Sequence, residues 1–485
     1  MPWPLRALPV TAGGAGKGRP TLKLTDFGAV ADGKTDNLPA FKQALAKLAI
    51  AGGGTLVVPA SGGAAESVYL SLPLLINVSH LTLVIEEGVR LKAKTDTVLS
   101  RPGDWPTVAP WANGIDGTSR QYAPFVQAVN VTDLIITGNG TIDSDGHFFY
   151  AANCGKKAGC SPAMKLPFRR PRLAVIEGCQ RVELSNFTTN VSGYWNLVLL
   201  ETDDVHIHHV LVRNPSGGSG ECGGPAHLPG DCFGPNADGI DLVSVRRALV
   251  EDNDIISGDD AICIKSGRDS VGRAHGRPAV DIRARNNFIR SASCPHVFRG
   301  LGDGCGALKV GTEISGGAAN VLFEHNRVGC AGIALKLSAP VPRGGNVSNI
   351  TWRDITVERS GMLIGIGVNT GADKGHPVPP PADVAAVNGV TFERIVAHNL
   401  SCCPGCVDYG CAPKQRSAGW LQAGAWASPS GIGGVNDLLI KNVSVLAAGG
   451  APLSALSWLC TSETLHGTSS NVSPALGSNC FIAKF

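Results

Sequence analysis

Aromatic side chains make up only 6% of this sequence, methionine occurs 3 times, and apolar residues nowhere run on for the length of a bilayer crossing. The last of these gives no reason to expect a membrane-spanning helix. An excess of either charge is also missing: 42 Lys and Arg against 39 Asp and Glu leave a net charge of +3. That balance argues against nucleic acid as a partner, while leaving room for a local basic groove facing an acidic polysaccharide. Helical periodicity is scarce as well. Apart from Leu38 to Ile50, where Ala40, Phe41, Ala44, Leu45 and Leu48 recur at helical spacing before Gly52-Gly53-Gly54, no segment asks for a helix.

What is abundant is punctuation. The 62 glycines and 31 prolines require frequent turns, and 43% hydrophobic content supports a sizeable core. At 485 residues the chain has room for two or three average domains or one long solenoid. Short apolar-x-apolar-x-x-apolar units recur from residue 180 onward. Val182-Glu183-Leu184 with Phe187, Val205-His206-Ile207 with Val210, and Val280-Asp281-Ile282 with Phe288 are three of them. Val321-Leu322-Phe323, Ile350-Thr351-Trp352, Val390-Thr391-Phe392 and Leu438-Leu439-Ile440 continue the series at spacings of about 23 to 48 residues. Each unit reads as strand, polar corner (often Asn or Asp) and second strand. Strands stacked this way without helices between them predict an all-β, right-handed parallel β-helix, with the Leu38–Ile50 helix capping its N-terminal end. A β-propeller would need antiparallel blades joined by hairpins, which the pattern lacks. The expected organisation is a leader over residues 1–20, the β-helix domain over 21–450, and a cysteine-containing tail over 451–485 packed on the same domain. Long loops at 104–123, 148–170, 215–235, 291–303 and 371–386 are the candidate cleft walls.

Fifteen cysteines suit an oxidising compartment. Short separations suggest bridges Cys154–Cys160, Cys222–Cys232 and Cys460–Cys480. Cys402-Cys403-Pro404-Gly405-Cys406 with Cys411 has zinc-knuckle spacing, but no histidine lies close by, so disulfides are the preferred reading. Sequons at Asn77, Asn186, Asn349 and Asn442 fit a glycosylated extracellular protein, although the same tripeptides describe a turn entering a strand. No apolar targeting segment follows Met1-Pro2-Trp3-Pro4, so an extracellular or cell-wall location implies another export route or a longer precursor.

The chemistry concentrates in Asn236-Ala237-Asp238-Gly239-Ile240-Asp241 and, some twenty residues on, Ser257-Gly258-Asp259-Asp260-Ala261. Neighbouring residues in a regular strand face opposite ways, so Asp259 and Asp260 can share a site only if Gly258 opens an irregular turn. Clustered carboxylates raise one another's pKa, and a hydrolase of acetals needs a protonated acid beside an ionised base.

Asn236-Ala237-Asp238 resembles the Asn-Thr-Asp of the polygalacturonase family, glycoside hydrolase family 28, and Gly258-Asp259-Asp260 matches its Gly-Asp-Asp. Gly304-Cys305-Gly306 falls where that family has Gly-His-Gly, and Ala334-Leu335-Lys336 where it has Arg-Ile-Lys. Phe27-Gly28-Ala29-Val30-Ala31-Asp32-Gly33, Asp104-Trp105-Pro106 and Gly140-Thr141-Ile142-Asp143 extend the likeness, as in plant-type members, to about residue 370. The resemblance implies the same β-helix and inverting hydrolysis of α-1,4-linked galacturonan in pectin. It makes Asp259 the general acid, Asp238 and Asp260 the ionised pair that holds and deprotonates water, and Lys336 the cation meeting a substrate carboxylate. Asn236, Lys309 and Cys305 are further candidate substrate contacts, with Lys265 supporting the acids from behind. No metal or other cofactor is expected, and the chain is expected to act as a monomer. Cys305 either stands in the site in place of the histidine or is bridged to Cys294; His296 or Lys309 could fill the vacated place. The alternatives are a hydrolase of rhamnogalacturonan or another branched pectic glycan, and a weakly active or inactive, wall-associated glycan-binding protein. A pectate lyase would need calcium-binding acids and an arginine base, which are not arranged as such.

Overall fold

The computed structural model describes residues 18–62, 66–96, 105–117, 119–152, 166–214, 236–291, 305–370, 379–398, 400, 417–424, 434–446, 457–462, 465–477 and 480–481. The expected leader, apart from residues 18–20, and the Cys154–Cys160, Cys222–Cys232 and Cys402–Cys411 pairings lie outside these residues, as do Cys294 and His296.

Strand-corner-strand units stack here as coils of a parallel β-helix. One coil runs Ala174–Glu177, Gln180–Ser185, Thr188–Asn190, and the next runs Leu197–Leu200, Asp203–His208, Leu211–Arg213. Each strand pairs in parallel with its counterpart one coil on, so three faces wind around one core. The first face continues through Ile240–Val243, Ile262–Lys265 and Gly306–Val310 into the later half of Arg327–Ala339. Its register is strict: Leu197, Ile240, Ile262, Leu308 and Leu335 align and point into the core. The single antiparallel pairing among the described strands is the two-residue hairpin Thr107–Val108 with Gln121–Tyr122.

Two side-chain ladders lock the coils. On the second face Phe323, Trp352 and Phe392 align in register and stack with centroids 5.4 and 4.7 Å apart. At one corner, the buried Asn253, Asn287 and Asn326 hand hydrogen bonds from coil to coil. Asn287 Nδ2 donates to the Val250 carbonyl at 3.0 Å and to Asn326 Oδ1 at 2.9 Å, while its own Oδ1 accepts from Asn253. Replacing Asn287 by Ala leaves donors and acceptors unpaired on both neighbouring coils. The expected loss is about 1–3 kcal/mol, read as a lower denaturant midpoint. Two of the sequon residues serve similar ladders: Asn349 donates to Asn320, and Asn442 accepts from Asn471.

The helix Leu38–Ile50 forms where its periodicity placed it, burying Phe41, Ala44, Leu45 and Leu48 against the turn Leu24–Phe27 and the strand Gly54–Val58. Two seven-residue helices, Gly146–Ala152 and Asp269–His275, were not legible, being too short to show a period. Repeat spacing fades after Val445, yet Trp458–Ser462 and Leu465–Ser473 pair in parallel with Ser417–Ala423 and Gly434–Val445, adding another coil. Most positions of that last strand are polar and at least partly exposed, which is why its apolar pattern is faint. Cys460 and Cys480 are joined in a disulfide, the pair their spacing suggested.

Candidate active site

Two turns that lead into first-face strands lie one above the other. The backbone N–H of Gly239 donates to the Asp260 carbonyl at 2.8 Å, and that of Gly258 to the Ala237 carbonyl at 2.9 Å. Only glycine fits at 239, because a Cβ there would sit 2.6 Å from the Ala261 carbonyl oxygen. Asn236 adopts a left-handed backbone (φ 54°) and its Nδ2 reaches Asp259 Oδ2 at 3.3 Å, tying the turns together. From below, Asn214 Nδ2 donates to the Ala237 carbonyl at 3.1 Å, and the Asn196 N–H donates to the Asp238 carbonyl at 2.9 Å. The result is a rigid ledge bearing Asp238, Asp259 and Asp260.

Each carboxylate meets a different environment. Asp260 is buried, accepting the Gly306 N–H at 2.7 Å and pairing with Lys309 Nζ at 2.6 Å. Burial alone would raise its pKa, but Lys309, then Lys265 and Lys336, outweigh it and hold Asp260 ionised below the usual range. Asp259 is half-buried, and its Oδ1 accepts the Asp260 N–H at 2.9 Å. Burial and the neighbouring Asp260 charge push it up to about 6. Asp238 is buried with Oδ2 on Lys265 Nζ at 2.8 Å, while its Oδ1 has no hydrogen-bond partner. Burial pushes Asp238 up to about 8 against the pull of Lys265, with the charges of Asp259 and Asp260 adding to the rise. The resemblance has Asp238 ionised alongside Asp260; the environments favour the charge on Asp260, which has Lys309 to itself, over Asp238, which shares Lys265 with Asp241.

Behind the ledge stands a second acid that the sequence reading left unassigned. Lys265 Nζ lies 2.7 Å from fully buried Asp241, 4.0 Å from Glu313, and 3.6 Å above the centre of the Trp195 ring. Burial raises the Asp241 pKa well above the ordinary carboxylate value, because one ammonium serves both Asp241 and Asp238. The signal for Asp241 was present in Ile240-Asp241-Leu242-Val243, where an acid interrupts an apolar strand. Asp241, Cys263, Lys309 and Lys336 then occupy one register row on the outer side of the first face.

The remaining candidates divide. Lys309 is committed to Asp260, so it positions a carboxylate. Lys336 lies beside it in the row and is buried. Cys305 is buried and disulfide-bonded, which removes its thiol as a substrate contact. What touches the acids at that place is the main chain of Gly306. Ala334 is fully buried. Among the described residues no three His, Cys, Asp or Glu are grouped to hold a metal, and lysine ammonium groups stand between the carboxylates. Among the described residues, too, no helix is long and apolar enough to cross a membrane.

The profile of glycosyl hydrolases family 28 matches residues 113–425. A probable polygalacturonase of Vitis vinifera is 28% identical over 388 residues, 79% of this chain and 69% of that protein. Among solved structures, the exopolygalacturonase of Thermotoga maritima superposes with a TM-score of 0.69 at 23% identity, covering 93% of this chain and 91% of that one. The endo-xylogalacturonan hydrolase of Aspergillus tubingensis does so with 0.61 at 16%, covering 96% and 99%. At these identities the two structures speak to the fold.

Proposed function

The chain belongs to glycosyl hydrolase family 28, a family of glycosidases acting on O-glycosyl bonds, and on that premise we propose that it hydrolyses α-1,4-galacturonosidic bonds of polygalacturonate in pectin with inversion. One observation carries the reading: two stacked turns present a half-exposed carboxyl, Asp259, whose Oδ1 accepts the Asp260 N–H at 2.9 Å, next to a carboxylate, Asp260, paired with Lys309 Nζ at 2.6 Å. In this scheme Asp259 protonates the departing glycosidic oxygen. Asp260 takes the proton of an attacking water, which Asp238 helps to hold. Inversion asks for an acid and a base about 6.5–9.5 Å apart, with room for water between them. Lys336 meets the uronate carboxylate, and an extracellular, wall-associated location follows from the polymer acted upon.

The test is release of reducing ends from polygalacturonate, rhamnogalacturonan and xylogalacturonan in parallel, with the anomer of the first product read by NMR. Inverted product from polygalacturonate is expected; activity confined to either branched polymer, or a retained anomer, would replace this scheme. The protonation states also set the pH profile. The donor is lost as pH rises through about 6, whereas the base stays ionised well into the acid range. The kcat/KM for polygalacturonate should therefore fall above pH 6 with a slope of one proton, and remain flat from there down to about pH 4.

A further inference from the structure

Polymer can lie along the first face only where the outer side of that face is open. Upstream of Asp241 the outward row continues as Val198 and Val175, and the row beside it as Val243 and Leu200. These four side chains are buried beneath Trp111, Ile115 and Trp195 in one apolar cluster. The Trp111–Gly117 stretch is fixed at its far side: the Asn113 carbonyl accepts the Arg268 N–H at 2.9 Å, and Gly114 packs on Val271. The guanidinium of Arg172 is wedged between Trp111 and Trp195, 4.1 and 4.5 Å from the ring centres, and pairs with buried Asp116 at 2.6 Å. A hydrated polyanion cannot pass through this packing, since doing so would expose the cluster to water.

The edge of the wall that reaches the acids is of another kind. Tyr194 is half-buried and stacks on Trp195 at 5.4 Å, and the Lys265 ammonium behind the acids lies 3.6 Å from the centre of the same Trp195 ring. Arg169 and Arg170 place their guanidinium carbons 5.7 and 5.5 Å from the Tyr194 ring centre. Arg169 retains about one-third of its side-chain exposure while paired with Asp116. Arg169 therefore presents a partly exposed guanidinium at the edge of the apolar packing.

We propose that the substrate cleft is blind on the upstream side of Asp238, and that the protein trims galacturonan from a chain end whose terminal carboxylate meets Arg169 beside Tyr194. Planar guanidinium forks suit a carboxylate held in one orientation, and they supply the kind of contact that Ala334 cannot.

The inference rests on the galacturonan reading, and the experiment separates the two. Wild-type protein is given polygalacturonate, and viscosity, reducing ends and product sizes are followed through the first few per cent of hydrolysis. End-trimming predicts one short product from the outset while viscosity stays near its starting value. A ladder of intermediate oligomers with collapsing viscosity overturns the blind cleft but leaves the hydrolase standing, whereas no hydrolysis of any galacturonan overturns both. With trigalacturonate, Arg169→Gln should raise KM by about tenfold at a kcat within about twofold of wild type, and Arg169→Lys should recover only part of the loss. An unchanged KM in Arg169→Gln removes the end-binding role.

Discussion

Asp259→Asn will lower kcat on polygalacturonate by a factor on the order of 10³–10⁴ and leave KM nearly unchanged. The amide has the size and shape of the carboxyl, and its one oxygen can still accept from Asn236 Nδ2 or from the Asp260 N–H, though not from both as the carboxyl does, so binding of the polymer survives. It cannot release a proton to the departing oxygen, so the step that needs one does not. Folding gives an internal control. The wild-type carboxyl is pushed up to about 6 by burial and by Asp260, so a neutral amide removes a repulsion and the variant should melt no lower than wild type at pH 7. A synthetic uronide with an aryl leaving group needs little protonation, and on it the variant should regain most of its rate. Unchanged turnover on polygalacturonate, or an equal loss on both substrates, would remove Asp259 from the donor role.

The same geometry explains why three acids can be crowded onto one ledge. Like charges this close do not all ionise, and the lysines decide which one does. Lys309 bonds Asp260 directly, whereas Lys265 divides itself between Asp238 and Asp241. A whole cation therefore stabilises one carboxylate and a shared cation serves two.

How far the sequence could be read depended on how local the determinants were. Asp238, Asp259 and Asp260 stood out because Gly239 and Gly258 mark the two turns that carry them, and the helix at Leu38–Ile50 because thirteen residues show a period. The β-helix was legible because its inward rows repeat the same short motif, with Asn or Asp at its polar corners. Other features depend on which coil lies next to which. Lys309 reads as a substrate cation until register sets it against Asp260, and Asp241 as a strand residue until Lys265 is placed beside it. Trp111, Arg172 and Trp195 come from three separate segments, so no spacing could reveal that they close the end of a face. Cys305 was ambiguous because its bonding partner is a question of space.

Removing the shared cation carries the second large effect. Lys265→Met keeps much of the stem's volume over Trp195 but strips the ammonium from Asp238 and Asp241, both buried and within 2.8 and 2.7 Å of it. Breaking a buried ion cluster from one side costs about 3–5 kcal/mol, since the charges left behind have no water to turn to. The two carboxyls can escape by protonation, and this fixes the sign of the pH dependence. Their folded-state pKa values, already raised by burial, rise further without Lys265, while the unfolded values stay near 4. The stability of the variant is therefore best retained at low pH and is lost as pH climbs through the neutral range. Urea unfolding at pH 5 and pH 8 should show the gap to wild type widening with pH. Adding Asp241→Asn to Lys265→Met should recover part of the loss, since it deletes one of the two stranded acids. A gap below about 1 kcal/mol at pH 8, or one that narrows as pH rises, would mean that Lys265 does not hold this cluster together.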